Sequence, residues 1–70
     1  MKNNLKVLRA IKNISQEELA KKISVSRQTI NAMEKGKYVP STVLALKLAH
    51  YFEKHVEEIF VLEHSDYKQH

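Results

Sequence analysis

Apolar residues recur at helical spacing along most of the chain, and polar residues suited to helix ends break them into short runs. Leu5, Leu8 and Ile11 predict a first helix that starts near Asn4, buries that stripe and ends around Lys12-Asn13. Ser15 and Glu18 have the spacing of a reciprocal N-terminal cap, so a second helix begins there. Leu19, Ala20, Ile23, Val25, Ile30 and Met33 are the inward positions of this helix and a third one, with a tight turn between them. Ser26 follows the turn as a cap, and the third helix runs from Arg27 to Lys35 and stops at Gly36. After Pro40, Ser41 caps a fourth helix with Leu44, Leu48 and Phe52 inward. The small Ala45 and Ala49 permit close packing there. A short fifth helix spans Val56 to Ile59 or Phe60. Gly36 and Pro40 are the only Gly and Pro, and they fall in one segment. That predicts an all-α chain with one pronounced loop. Phe60-Val61-Leu62 is rich in strand formers and too short for another helix. It pairs as a strand with residues 2–4, or faces a second subunit, or folds its last turn onto the core. Residues 65–70 are polar and are expected to fray.

Seventy residues make one domain with a small core, and leave no room for a separate sensing or catalytic domain. A chain of this size gains much from pairing with a second copy of itself. No Cys is present, which excludes disulfides, thiolate zinc sites and cysteine redox chemistry. No apolar run reaches membrane-spanning length, and residues 1–5 lack the apolar stretch of a signal peptide. A cytoplasmic location is expected. The net charge of +4 is unevenly placed. Residues 1–37 carry nine Lys and Arg against three Asp and Glu, whereas residues 38–70 carry three against five. A basic half of this kind orients a protein toward a polyanion, although a Lys-rich solvated surface produces the same count.

The chemistry-bearing residues collect in that basic half. Arg27, Gln28, Thr29 and Asn31 lie on the outer face at the start of the third helix. Arg matches guanine O6 and N7, and Gln matches adenine N6 and N7. Thr offers a hydroxyl for phosphate and a methyl for thymine, and Asn31 reaches a base or a phosphate. Two short helices, a tight turn and such a face are the signature of a DNA-reading helix-turn-helix. Ala32 shares the face but offers only a methyl group. Gln16 opens the second helix, a place that suits a phosphate. Lys35, Lys37 and Tyr38 follow the third helix and also suit phosphate contact, with Lys6 and Lys12 as weaker candidates. The four histidines, His50, His55, His64 and His70, show no metal-ligand spacing. Glu17-Glu18 and Glu57-Glu58 sit early in helices, where acids suit the helix dipole. No catalytic triad, phosphate-cradling Gly loop or nucleophilic Cys exists, so neither an enzyme nor a cofactor is expected.

The chain resembles the Cro/CI (XRE) family of phage-repressor helix-turn-helix proteins across residues 5–60. The resemblance rests on Asn13-Ile14-Ser15-Gln16-Glu17-Glu18-Leu19-Ala20, Val25 to Asn31, Glu34-Lys35-Gly36-Lys37 with Pro40-Ser41, Ala45 to Ala49, and Val56 to Phe60. It implies a five-helix domain over residues 1–64, with its motif at 16–35 and a polar tail at 65–70. It also implies that Gln16 holds a phosphate and that Arg9 and Glu34 form a buried ion pair between the first and third helices. Ser24 and Glu53 depart from the family at turn positions usually held by Gly, and each is expected to adopt the left-handed conformation. The function implied is a repressor that binds a twofold-symmetric double-stranded DNA operator as a homodimer, without a small-molecule effector. The expected dimer face is Val56, Ile59, Phe60, Val61 and Leu62. Two other readings remain: the antitoxin of a toxin–antitoxin pair, and a protein-interaction adaptor that has lost DNA binding. The base-matching residues at Arg27, Gln28 and Asn31 argue against the adaptor.

Overall fold

Three serines set three of the helix starts in the computed structural model, which describes residues 1–68. Ser15 Oγ accepts the Glu18 N–H at 3.0 Å, while Glu18 Oε1 accepts the Ser15 N–H at 3.0 Å. Ser26 Oγ accepts from the Thr29 N–H at 3.1 Å, and Ser41 Oγ from the Leu44 N–H at 3.2 Å. Each hydroxyl satisfies a backbone donor that has no partner within the helix. The elements in order are β1 (Lys2–Asn3), α1 (Leu5–Lys12), α2 (Gln16–Ile23), α3 (Arg27–Glu34), α4 (Thr42–Phe52), α5 (Val56–Ile59), β2 (Phe60–Val61) and a 3-10 turn (His64–Tyr67). Three helices end on a non-glycine residue in the left-handed region: Asn13 (φ 55°) after α1, Ser24 (φ 60°) after α2 and Glu53 (φ 55°) after α4. The expectation for Ser24 and Glu53 holds, and Asn13 adds a third case. Gly36 (φ 74°) turns the chain after α3 at no steric cost.

The core is one cluster in which Leu5, Leu19, Ile30, Met33, Leu48 and Ile59 are fully buried. Ala20, Ile23, Leu44, Phe52 and Phe60 join it, and Leu8 and Val25 pack against its edge. Ile11 does not belong to the buried stripe: it is 75% exposed. At about 100° per residue, Ile11 lies roughly 120° around the helix from Leu5. Arg9, half-buried, extends the inward face in its place.

The N-terminal segment ties down the end of the domain. β1 and β2 pair antiparallel, with Lys2 opposite Val61 and Asn3 opposite Phe60. Of the readings open for Phe60-Val61, the strand pair is the one found. The Asn4 N–H donates to the Ile59 carbonyl at 2.8 Å, and Asn3 Nδ2 donates to the Met33 carbonyl at 2.8 Å. This pairing presses α5 and β2 inward and corrects part of the expected dimer face. Ile59 is 0% exposed and Phe60 8%, so both belong to the protomer's own core. The tail also differs from expectation. Ser65, Asp66 and Tyr67 lie in the 3-10 turn rather than fraying. Asp66 Oδ2 accepts the Glu63 N–H at 2.7 Å, and the Met1 ammonium bridges Glu63 and Asp66 at 3.0 and 3.3 Å. Lys68 closes the turn, and residues 69 and 70, with His70, lie outside the described residues. Among the described residues, no helix is long and apolar enough to cross a membrane.

Candidate nucleic-acid interface

α2 and α3 pack through Leu19, Ala20, Ile23, Ile30 and Met33, which leaves the opposite side of α3 open. Arg27 and Gln28 are exposed there, and Thr29, Asn31 and Ala32 are half-buried. Arg27, Gln28, Asn31 and Ala32 line one concavity together with Lys35 and Lys37. Residues assigned from sequence to bases and to phosphates thus meet on a single surface. Thr29 is turned toward its own cap, with its Oγ1 2.9 Å from Ser26 Oγ. Tyr38 is exposed beyond the end of α3 and does not line this concavity.

Gln16 lies in a neighbouring recess with Lys6, Arg9, Asn31, Glu34 and Lys35. Asn31 and Lys35 border both depressions. The recess is organised by the Glu34 carboxylate. Arg9 Nε donates to Glu34 Oε2 at 2.7 Å, and Arg9 Nη2 to Glu34 Oε1 at 3.1 Å. Arg9 Nη1 also donates to the Ile14 carbonyl at 3.0 Å, so the guanidinium fastens α1 to both the end of α3 and the start of α2. Gln16 Nε2 donates to Glu34 Oε1 at 3.1 Å, and Asn31 Nδ2 donates to Gln16 Oε1 at 3.4 Å. The pair is largely removed from solvent, with side-chain exposures of 16% for Arg9 and 7% for Glu34. Burial pushes the Glu34 carboxyl up. The hydrogen bonds from Arg9 and Gln16 and the charges of Arg9 and Lys6 outweigh it and hold the group below the usual carboxylate range. The bond to Glu34 in turn raises the Arg9 guanidinium.

Two of the weaker candidates separate. Lys6 borders the recess, whereas the Lys12 ammonium sits 5.2 Å from the Tyr51 ring centroid, where the ring face attracts it. Among the described residues, no group of three or more His, Cys, Asp or Glu is placed to hold a metal.

The remaining dimer-face residues are divided. Val61 is exposed and Leu62 is 59% exposed. Val56 lines an apolar groove with Val39, Pro40, Ala45, Leu46 and Phe60. Val39 and Leu46, which line it, and Val43 of α4 are exposed, and none was among the sequence candidates. A signal for them existed. Residues 43–46 of α4 are all apolar, more than one inward stripe requires.

The profile of a family described as Helix-turn-helix matches residues 5–59. The chain is 59% identical over 63 residues to MJ0272 of Methanocaldococcus jannaschii, an uncharacterized HTH-type transcriptional regulator, covering 90% of this chain and 96% of that one. It is 51% identical over 63 residues to YgzD of Bacillus subtilis, likewise an uncharacterized HTH-type transcriptional regulator, with the same coverage. An uncharacterized HTH-type transcriptional regulator of Archaeoglobus fulgidus is 46% identical over 66 residues, 94% of this chain and 93% of that one. With the five helices, the motif at α2 and α3 and these matches in agreement, the chain belongs to the Cro/CI (XRE) family of helix-turn-helix transcriptional regulators.

Proposed function

We propose that this chain is a sequence-specific double-stranded DNA-binding regulator, a repressor that occupies a twofold operator as a homodimer in the cytoplasm. The observation that carries the reading is the shared concavity of Arg27, Gln28, Asn31, Lys35 and Lys37. In it, side chains suited to base edges adjoin side chains suited to phosphates, the two kinds of contact a DNA reader combines. Arg27, Gln28, Thr29 and Asn31 meet base edges. Gln16, Lys35, Lys37 and Tyr38 meet the backbone. Arg9 and Glu34 hold the frame. Residues 1–64 act as the DNA-binding domain.

One such helix makes few base contacts, and a second copy doubles them. The dimer face is the apolar surface of the half-buried Val56 with the exposed Val61 and Leu62. It leaves α3 free, so that two recognition helices sit about 34 Å apart, one turn of DNA. Selection of bound sequences from a random duplex pool tests the reading. One inverted repeat is the expected product. A pool that stays unenriched while the protein is folded would overturn it.

A further inference from the structure

Of the four residues assigned to bases, Asn31 is the one whose side chain is hydrogen-bonded to another helix among the described residues, through Gln16 on α2. The chain of bonds behind it has a fixed polarity. A carboxylate only accepts hydrogen bonds. Gln16 therefore turns its NH2 group to Glu34, which leaves its carbonyl oxygen facing Asn31. Asn31 must then present its own NH2 group to that oxygen. Glu34 itself is held by two bonds from Arg9. Asn31 is left with its Oδ1 acceptor and one N–H, the pair that matches adenine N6 and N7.

We infer that Glu34 is a positioning residue for base recognition: through Gln16, it sets which edge of the Asn31 amide faces the DNA. The inference rests on the DNA-reading role proposed above for α3. Lys6 and Lys35 border the same recess, so a phosphate drawn there meets the second N–H of Gln16. One amide thereby links backbone contact to base choice. Glu34→Gln keeps the side chain's shape and one acceptor oxygen. That oxygen stays where Arg9 Nη2 and Gln16 Nε2 both donate, because an NH2 group there would oppose two donors and in the other position only Arg9 Nε. Glu34→Gln therefore leaves the Gln16 and Asn31 amides in their wild-type sense. Glu34→Ala removes the acceptor, and both amides are then free to turn over, so that Asn31 no longer holds one edge toward adenine.

The test is selection from a random duplex pool with the wild type, Asn31→Ala, Gln16→Ala, Glu34→Ala and Glu34→Gln, each first checked for helicity. Asn31→Ala is expected to flatten preference at one base pair per half-site. Gln16→Ala is expected to relax preference at that same base pair by about threefold or more, beyond any uniform loss from a phosphate contact. Glu34→Ala is expected to relax preference there as well, and Glu34→Gln to restore it; a folded Glu34→Ala with full preference overturns the inference. Should Glu34→Ala unfold, Gln16→Ala decides alone, because it leaves the Arg9–Glu34 pair intact. A wild type that enriches no sequence overturns the DNA-reading assignment and this inference with it. If the wild type enriches a site but Gln16→Ala weakens all sequences equally, or Asn31→Ala changes no position, this inference alone is overturned.

Discussion

The face built by α2 and α3 and the face built by α4, α5 and β2 are finished in different ways. On the first, Arg9, Glu34, Gln16 and Asn31 bond to one another, and among the described residues no buried side-chain N or O lacks a partner. On the second, Val43 and Leu46 of α4 and Val61 of β2 stand exposed, as do Val39 just before α4 and Leu62 just after β2. A polar surface can complete its hydrogen bonds within the protomer before a partner arrives. An apolar surface cannot, because its stabilisation comes from leaving water. The first face is therefore preorganised for directional contacts, and the second gains only from burial against a second surface. Substitutions on the two should fail differently: on the first by misplacing a charge or an amide, on the second by changing self-association.

The largest effect is expected at the ion pair. Arg9→Ala leaves a carboxylate that is only 7% exposed without its counter-ion. Breaking such a pair costs about 3 kcal/mol, a large part of the roughly 5 kcal/mol that a small domain has in total. The urea midpoint should fall steeply, and an unchanged midpoint would show that Glu34 finds another partner. Acid probes the same pair. The folded Glu34 carboxyl titrates below its usual range, although burial alone would raise it, because the bonds from Arg9 and Gln16 outweigh burial. Its contribution to stability is thus complete above the unfolded value of about 4.3 and is lost as pH falls through the lower folded value. Glu18 and Asp66, each lowered first by a backbone N–H bond, act in the same direction. Glu34→Gln should flatten, without abolishing, the acid limb of a stability–pH curve.

The next effect belongs to the apolar face. Burying a Leu contributes about 1.5–3 kcal/mol, and in a twofold interface each substitution counts twice. Leu62→Asp should therefore weaken self-association about a hundredfold or more while leaving the protomer folded, since Leu62 is 59% exposed. Sedimentation across micromolar concentrations reads this directly. A wild type that stays monomeric even on operator DNA would remove the dimer from the proposal.

On the polar face, Arg27→Ala should cost about 1–3 kcal/mol on the specific site and relax one base position per half-site. Equal losses on specific and random duplexes would remove Arg27 from the base-reading set. Lys37→Ala is the contrasting substitution. It should weaken all sequences alike and lower the slope of log affinity against log salt by about one.

What was legible in the sequence follows the range of the interaction concerned. The caps at Ser15, Ser26 and Ser41 are local, three residues from donor to acceptor, and they place α2, α3 and α4 correctly. Leu44, Leu48 and Phe52 read correctly because α4 is long enough for its period to show. Ile11 misled because α1 has only eight residues, and the centre of its inward face is taken by Arg9, whose partner is 25 residues away. Ile59 and Phe60 were assigned to a partner because pairing with residues 2–4 was one of three readings open for this segment, and local spacing does not show that this pairing turns both side chains into the core. The 3-10 turn was hidden for the same reason: its charged contact is with Met1. At the candidate site, the residue types and the face were legible from spacing on α3. The bonds from Gln16 to Glu34 and Asn31 were not, because they exist only once α2 and α3 have packed.

The smallest effect compares the two regions at matched backbone positions. Ser24 lies in the turn of the motif and Glu53 at the far end of α4, with nearly equal φ values of 60° and 55°. A left-handed conformation costs a residue with a Cβ roughly 1–2 kcal/mol. Glycine removes that cost but adds about 0.5–1 kcal/mol of unfolded-chain entropy. Ser24→Gly and Glu53→Gly should therefore each stabilise by up to about 1 kcal/mol, which is about 4–8 °C in Tm for a domain of this size. Asn13→Gly should gain least, because Asn tolerates the left-handed region through local hydrogen bonding. The melting order expected is Ser24→Gly and Glu53→Gly above Asn13→Gly, with Asn13→Gly near the wild type. Neither stabilised variant should alter base preference, since neither position lines the recesses at Arg27 and Gln16. A Ser24→Gly protein that melts below the wild type would show that the Ser24 side chain contributes more to the turn than its backbone strain removes.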